Sequence, residues 1–583
     1  MRNVFLAACC LLQLNLSAQK NNDNKALADL FNAYTEDSYK LNPLTATANG
    51  DYRYNDQLPI SFTDSYRKKY EAFYKDYLGR LKKFNRATLN ENDKISYDIF
   101  LRNMEMLLEG LQFPQNRIPF YQSGLHVSLP QFGSGSGAQP FKTVKDYDDW
   151  AKRAEQFAAW VDSAIVYFKK GLNENVVLPK ALVIKMIPQL KALQATDVTK
   201  SAFYGPIKVM PATFPEADKA RLTAAYTKLI TEQLNPSYKK LEQFISTEYL
   251  PKAKSTSGLA GTGADKLYGY LIRNFTTTNL TADQVFNIGT AEVKRIRGLM
   301  EEVKTSVGFN GTLDSFFKYT TFDPKFLPYK TQEDVLQDAR SIQKKVEPHL
   351  PKLFNLVPKT PFEIRAVEPY RAATAAPQYN AGLPDGSRPG IYYIPIVDAT
   401  KVRRTEEAVF LHEALPGHHF QIMLQKENKS LPTFRQNGGF AAYSEGWGLY
   451  CESLGKQLGC YTDPYQYFWA LGFEMHRAIR LVVDVGLHSK GWTREQAIEY
   501  MRNNEPITEQ FLVSEIERYM GNPGQALSYK IGELKIHELR RKYEKQLGAK
   551  FKLAAFHDEL LRDGAMPLNV LEAKMDRWAA KQK

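Results

Sequence analysis

The chain is 583 residues long, with 43% apolar and 24% charged residues, 35 Gly and 30 Pro, a composition that excludes a disordered or fibrous protein. Its 33 Tyr, 33 Phe and 6 Trp supply ample material for a large core and for a substrate cleft. Lys and Arg number 77 against 64 Asp and Glu, a formal charge of +13, yet no recognisable nucleic-acid-binding module or basic cluster accompanies the excess, so no nucleic-acid partner is expected.

The amino terminus, residues 1–18, reads as a secretory signal peptide: Arg2, an apolar run from Val4 to Leu16, and the small pair Ser17-Ala18 before Gln19. Gln13 and Asn15 interrupt the run, which is too short for a membrane span. Leu6-Ala7-Ala8-Cys9 has the form of a bacterial lipoprotein cleavage box. Few apolar residues precede Cys9, however, so cleavage after Ala18 and export to the periplasm rank ahead of lipid anchoring. Losing Arg2 leaves a charge of +12, and only Cys451 and Cys460 remain to form one bridge or to stay free. No later stretch is long and apolar enough to cross a bilayer.

Residues 19–255 form a helical N-terminal region of long segments separated by Pro- and Gly-bearing loops, the run from Gly133 to Gly137 among them. The stretch from Ser255 to Gly263, rich in Ser, Thr and Gly, opens a catalytic region over 256–583, and the two regions are expected to form one compact unit. Thr281 with Gln284 reads as a capping box opening an amphipathic helix over Ala282 to Val303. Strand signals cluster at Phe362 to Glu368 and Ile391 to Ile396, with the turn Pro384-Asp385-Gly386-Ser387 between them, and predict a small sheet or hairpin over about 362–396.

Three of nine histidines share the octet His412-Glu413-Ala414-Leu415-Pro416-Gly417-His418-His419. Thr405 is a good N-cap for a helix carrying it, with Glu406 and Glu407 in the first turn. Zinc hydrolases use two histidines at i and i+4 with a glutamate after the first as general base. Here Pro416 occupies the i+4 place. In an undistorted helix His418 would lie about 120° away from His412, and His419 about 10 Å along the axis. Pro416 removes a helical N–H and crowds the preceding turn, so a kink or bulge is expected, with Gly417 tolerating it. Read as the i,i+4 motif with Pro-Gly inserted, the segment returns His418 to the second-ligand position, and His418 ranks above His419.

Glu445 is the third-ligand candidate, because it is the only acid in the apolar and small-residue run from Gly438 to Tyr450, where a carboxylate is costly to bury without a partner or a metal. Glycines flanking Trp447 would let another helix approach closely. Glu452 reads as a solvated acid. The helix opened by Asp463-Pro464 then aligns Arg477, Arg480, Asp484 and His488 on one face amid apolar residues, a buried network beside a site, in which an Arg480–Asp484 ion pair stands level with a direct role. After Gly521-Asn522-Pro523-Gly524, a helix carries Tyr529 and Lys530; the hydroxyl suits an oxyanion and the ammonium a substrate carboxylate, with plain packing by Tyr529 equally open.

The octet with Gln421, the run Tyr443 to Trp447, Arg480 to His488 with Gly491-Trp492, Pro523 to Gly532, Asn279-Leu280-Thr281 and Ala291 to Ile296 together resemble the bacterial family catalogued as domain of unknown function 885, itself similar to zinc metallopeptidases with a glutamate third ligand. The resemblance implies a mainly α, long-helix metallopeptidase-like fold with a small β-sheet next to the active-site helix. It implies one zinc ion on His412, His418 and Glu445, with Glu413 as base. The resulting expectation is an exported zinc metallopeptidase or related amide hydrolase acting on short peptides, with catalysis by Glu413, Tyr529 and His488 and substrate binding by Tyr393, Arg480 and Lys530. The strand from Ile391 to Ile396 is expected to pair with an extended peptide. The alternative is an exported peptide-binding protein with the same fold and no catalysis.

Overall fold

A computed structural model describes residues 24–582, apart from 136, 255, 368–371, 373–374, 387, 405 and 506. The signal segment with Cys9, and Thr405, lie outside the described residues. The fold is mainly α, with three short strands among the described residues. Helix starts follow the expected side-chain chemistry. Thr281 accepts from the Gln284 N–H and Gln284 reaches back to Thr281, which opens α1 (Ala282–Ser306) as a full capping box.

In the N-terminal region the aromatic residues form the core: Trp150, Phe157, Trp160, Phe168, Tyr238 and Tyr249 are buried together. That cluster continues past residue 255 into Val293 and Met300 of α1 and into the long helix Pro464–His488. The Asp463 side chain accepts from the Tyr465 N–H, and Pro464 stands at the first turn. The helix is enclosed on two sides and apolar on both: Ile479, Val482 and Val483 face the N-terminal cluster, while Leu481 and Val485 belong to a second cluster around the histidine octet. The Gly-rich stretch after residue 255 packs on the end of this helix, where a Cβ on Gly258 would fall 2.3 Å from the Leu487 carbonyl oxygen.

The second cluster contains the sheet and the remaining helices that build the site. Strand β1 (Phe362–Ala366) pairs parallel with β3 (Gly390–Ile394), and β2 (Gln378–Asn380) pairs antiparallel with β3, in the order β1-β3-β2. Both strands expected from the sequence form, each shorter than its sequence signal, and Pro395, which has no N–H to give a ladder, follows the end of β3. The order overturns one expectation. As the central strand, β3 already pairs on both edges through Ile391, Tyr392 and Tyr393, so it has no free edge there for an added peptide. Tyr393 is half-buried opposite Arg365 and Gln378. Tyr392 is buried with its ring 6.2 Å from that of Phe410, which sets the sheet beside the octet.

The other site helices, in chain order, are α2 (Glu407–Glu413), α3 (His418–Glu427), α4 (Ala441–Ser453), α5 (the helix Pro464–His488), α6 (Glu509–Gly521) and α7 (Ser528–Leu547). Helices α4 and α7 cross at two glycines. A Cβ on Gly446 would lie 2.5 Å from the Gly532 carbonyl carbon, and one on Gly532 would lie 1.8 Å from the Ala442 oxygen. That is the close approach expected beside Trp447. Cys451 and Cys460 are free and buried.

Candidate metal centre

The helix expected to kink at Pro416 instead stops and restarts. Helix α2 begins after Glu406, which takes the N-cap position in extended conformation, and ends at Glu413. Ala414 leaves helical geometry at φ −108° and ψ −100°, the Leu415–Pro416 bond is cis, and α3 starts at His418. Gly417 folds back onto the preceding turn so tightly that a Cβ would sit 1.9 Å from the His412 carbonyl oxygen. The Trp447 Nε1–H donates to the Pro416 carbonyl at 2.9 Å and ties the break to α4.

Breaking the helix brings the His412 and His418 rings to 4.6 Å between centroids, nearly perpendicular. Both Nε2 atoms then face one carboxylate oxygen: Glu445 Oε2 lies 3.5 Å from His412 and 3.4 Å from His418. One ligand atom from each of the three lies within 4.8 Å of the others. Nitrogen and oxygen ligands about 2.0–2.1 Å from a tetrahedral ion stand about 3.3 Å apart, so these separations suit a single zinc-sized cation. Gly448 makes room for the His412 ring, since a Cβ there would fall 2.6 Å from Cε1. His419 points elsewhere: its Nδ1 shares a 2.8 Å hydrogen bond with the Tyr379 hydroxyl and its ring packs on Phe362. Burial pushes its pKa down to about 4.

Glu452, expected in solvent, is buried, and its carboxylate accepts from His412 Nδ1 at 2.8 Å. That bond engages Nδ1 and orients the ring so that Nε2 faces Glu445, the usual carboxylate support of a metal-binding histidine. The sequence did carry a signal for it. Glu452 lies two helical turns from Glu445, on the same side of α4.

Glu413, His418 and Glu445 are largely enclosed by protein yet keep part of their surface open. Burial raises the Glu413 carboxyl above the ordinary carboxylate range, partly offset by His418 and His412. Burial opposes a proton on His412, but its bonds to Glu445 and Glu452 and the nearby Glu413 charge outweigh it and lift the pKa to about 10. Three carboxylates therefore favour a positive charge at this point. A divalent cation on two neutral imidazoles and a carboxylate meets that demand, and the donor set of two His and one Glu is one that zinc takes with a position left for water.

The remaining sequence candidates have different fates. His488 is buried, accepts from the Leu259 N–H at Nδ1 and donates from Nε2 to the Tyr519 carbonyl, so both ring nitrogens are engaged by backbone. The Arg480–Asp484 pair does not form. Arg480 pairs with Glu515 at 2.9 Å and donates to the Tyr519 hydroxyl, whereas Asp484 accepts from the Tyr268 hydroxyl and the Gly524 N–H. Lys530 is wholly buried against Glu292, Glu474 and Glu533, at 3.2, 2.7 and 2.7 Å, which leaves it unavailable to a substrate carboxylate. Tyr529 is half-buried beneath the Arg480 guanidinium, 4.5 Å from its ring centroid, and its hydroxyl makes no hydrogen bond among the described residues.

The family described as bacterial protein of unknown function (DUF885) matches residues 43–575, and the chain belongs to it. The crystal structure of the putative lipoprotein from Colwellia psychrerythraea is similar over 95% of this chain and 99% of that one, at 29% identity and a TM-score of 0.86. A putative lipoprotein of unknown function from Shewanella oneidensis shares the fold, at 19% identity and a TM-score of 0.72 over 94% of this chain and 99% of its own. No curated protein matches the chain.

Proposed function

We propose that this member of the DUF885 family is an exported zinc-dependent peptidase of short peptides. The observation that carries the reading is the convergence of His412 and His418 on one oxygen of Glu445, with Glu413 next to His412 and only partly exposed. His412, His418 and Glu445 would hold the ion. A bound zinc supplies Lewis acidity and lowers the pKa of water in its open position. Glu413 would take a proton from the attacking water and return it to the leaving amine, a role supported by burial, which raises its carboxyl above the ordinary range. Glu452 holds the His412 ring in its orientation. The Tyr529 hydroxyl, free of other hydrogen bonds among the described residues, is available to donate to the developing oxyanion.

The signal-like residues 1–18, and relatives described as putative lipoproteins, support export. The intact mass of the mature protein distinguishes cleavage after Ala18, a periplasmic form, from lipid attachment at Cys9. No described helix is long and apolar enough to cross a membrane.

Metal analysis and digestion of a mixed peptide library by wild-type and Glu413→Gln protein test the assignment. One zinc per chain in both and a loss of hydrolysis of about 10²–10⁴-fold in the variant are expected. A chain without stoichiometric divalent metal, or an undiminished rate in the variant, would sink it and favour a peptide-binding role.

A further inference from the structure

Cations enclosed by protein are ordinarily paired with acids. Around the site this holds for Lys530 with its three glutamates, for Arg480 with Glu515 and for Arg403 with Glu406. Arg477 on α5 departs from the pattern. Among the described residues no carboxylate lies within 4.0 Å of its guanidinium. Its one hydrogen bond runs from Nη1 to the Phe473 carbonyl, long at 3.4 Å, and its Nε is buried with no partner. The group lies over the Phe473 ring, 5.1 Å from the centroid, which fixes its plane.

One turn further along α5, Arg480 is also buried with its Nη1 unpartnered, and its guanidinium stacks over Tyr529, whose hydroxyl is uncommitted among the described residues. Residues at i and i+3 share a helix face. Helix α5 packs on α2, which carries Glu413, and on α7, which carries Tyr529. The Arg477 charge is near enough to Glu413 to favour its ionised carboxylate, in keeping with the packing of α5 on α2. Unfilled N–H donors from two planar guanidinium groups are complementary to a carboxylate, which accepts in the same plane.

We propose that Arg477, backed by Arg480 and Tyr529, binds a carboxylate on the leaving side of the substrate, so that the enzyme is a carboxypeptidase removing a C-terminal residue. This rests on the peptidase reading. The amide carbon gains the oxygen of water, the C–N bond breaks, and the proton held by Glu413 passes to the departing nitrogen, releasing a free amino acid. The carboxylate function that the sequence suggested for Lys530 thus falls to a residue three turns from the end of α5, because Lys530 is already neutralised.

Calorimetry on zinc-loaded Glu413→Gln protein reads binding without turnover. Three probes of one short peptide are compared: the free acid, the C-terminal amide, and an amide ending in Asp. The free acid should bind roughly 10- to 100-fold more tightly than the neutral amide, as loss of a charge-assisted pair implies. Adding Arg477→Gln should abolish that ratio with melting temperature and zinc content unchanged, and Arg477→Lys should restore part of it. An Asp-ending amide that matches the free acid would show the carboxylate read from a side chain, and supports the site while removing the exopeptidase assignment. Equal affinity for acid and neutral amide, no binding of any probe, or discrimination that survives Arg477→Gln overturns the proposal. A protein that separates acid from amide while its wild-type form cleaves neither would instead overturn the peptidase reading and leave the carboxylate site standing.

Discussion

Helices α4 and α7, crossing at Gly446 and Gly532, each carry a cluster of buried ionisable groups, and the two are balanced in opposite ways. Around Lys530 on α7, the acids Glu292, Glu474 and Glu533 meet the cations Lys530 and Arg295, and burial pushes Glu533 to about 7, near neutrality. Around Glu445 on α4, three carboxylates meet two imidazoles, and among the described residues no Lys or Arg lies within 4.0 Å of these carboxylates. The first cluster is complete within the polypeptide. In the second, bonds to Glu445 and Glu452 outweigh burial and lift His412 to about 10, a demand for positive charge that the proposed metal ion would meet. A count of buried charges does not separate a structural network from a ligand site; the balance of signs within each cluster does.

The sharpest way to break this contrast is to remove a ligand from one cluster and a cation from the other. His418→Ala should abolish zinc retention and lower peptide hydrolysis on the order of 10³-fold or more, given several kcal/mol of transition-state stabilisation from the metal. Its urea midpoint, measured on metal-free protein beside metal-free wild type, should move little. Lys530→Met should do the reverse. Buried Glu533 loses its cation while Glu292 and Glu474 keep only Arg295, stability falls by about 3–5 kcal/mol in urea unfolding, and zinc content in the folded fraction stays at one. A Lys530→Met protein of native stability would erase the distinction.

Glu452→Gln probes the support of the centre. The Gln oxygen keeps an acceptor for His412 Nδ1 but removes the charge, and zinc affinity measured by chelator competition should fall about 10- to 100-fold while the fold persists.

The smallest effect concerns Asp484, a buried acid of the structural kind. Burial pushes its pKa up to about 7, against the hydrogen bonds from Tyr268 and the Gly524 N–H. Its unfolded-state pKa is about 3.9, so between about pH 4 and pH 7 the native state binds the extra proton, and stability declines as pH rises through that window. Asp484→Asn should flatten the decline by about 1 kcal/mol per pH unit, with no change above pH 8 in slope. Unfolding curves of the two proteins at pH 5, 6 and 7 that stay parallel would remove Asp484 from this role.

Much of the centre was legible because its signals are local. Pro416 in the middle of a histidine octet announces a broken helix, and Glu445 stands out as the lone acid in an apolar run. The structure gathers those residues with His418 in preference to His419, although the break is a full interruption of the helix and not a kink. Glu452 was misread because its two-turn spacing from Glu445 puts it on the same side of α4 but does not show that the His412 ring packs there. His488 and Lys530 were misread for the same reason: their partners, Leu259 and Tyr519 for one, Glu292 and Glu474 for the other, come from segments far along the chain. Strand β2, at three residues, is too short to show a period, and without it β3 looked like an edge open to a peptide.

What the sequence determined by itself is the set of short-range features: helical periodicity, the Thr281 and Asp463 caps, the break at Pro416 and the identity of the metal-type donors. These depend on backbone sterics and on hydrogen bonds within a few residues, so they are written locally. Tertiary structure alone decided which buried charges are neutralised. Electrostatic compensation is a matter of distance through space, and only the packing of α4, α5 and α7 assigns Lys530 to three acids while leaving Arg477 without one among the described residues.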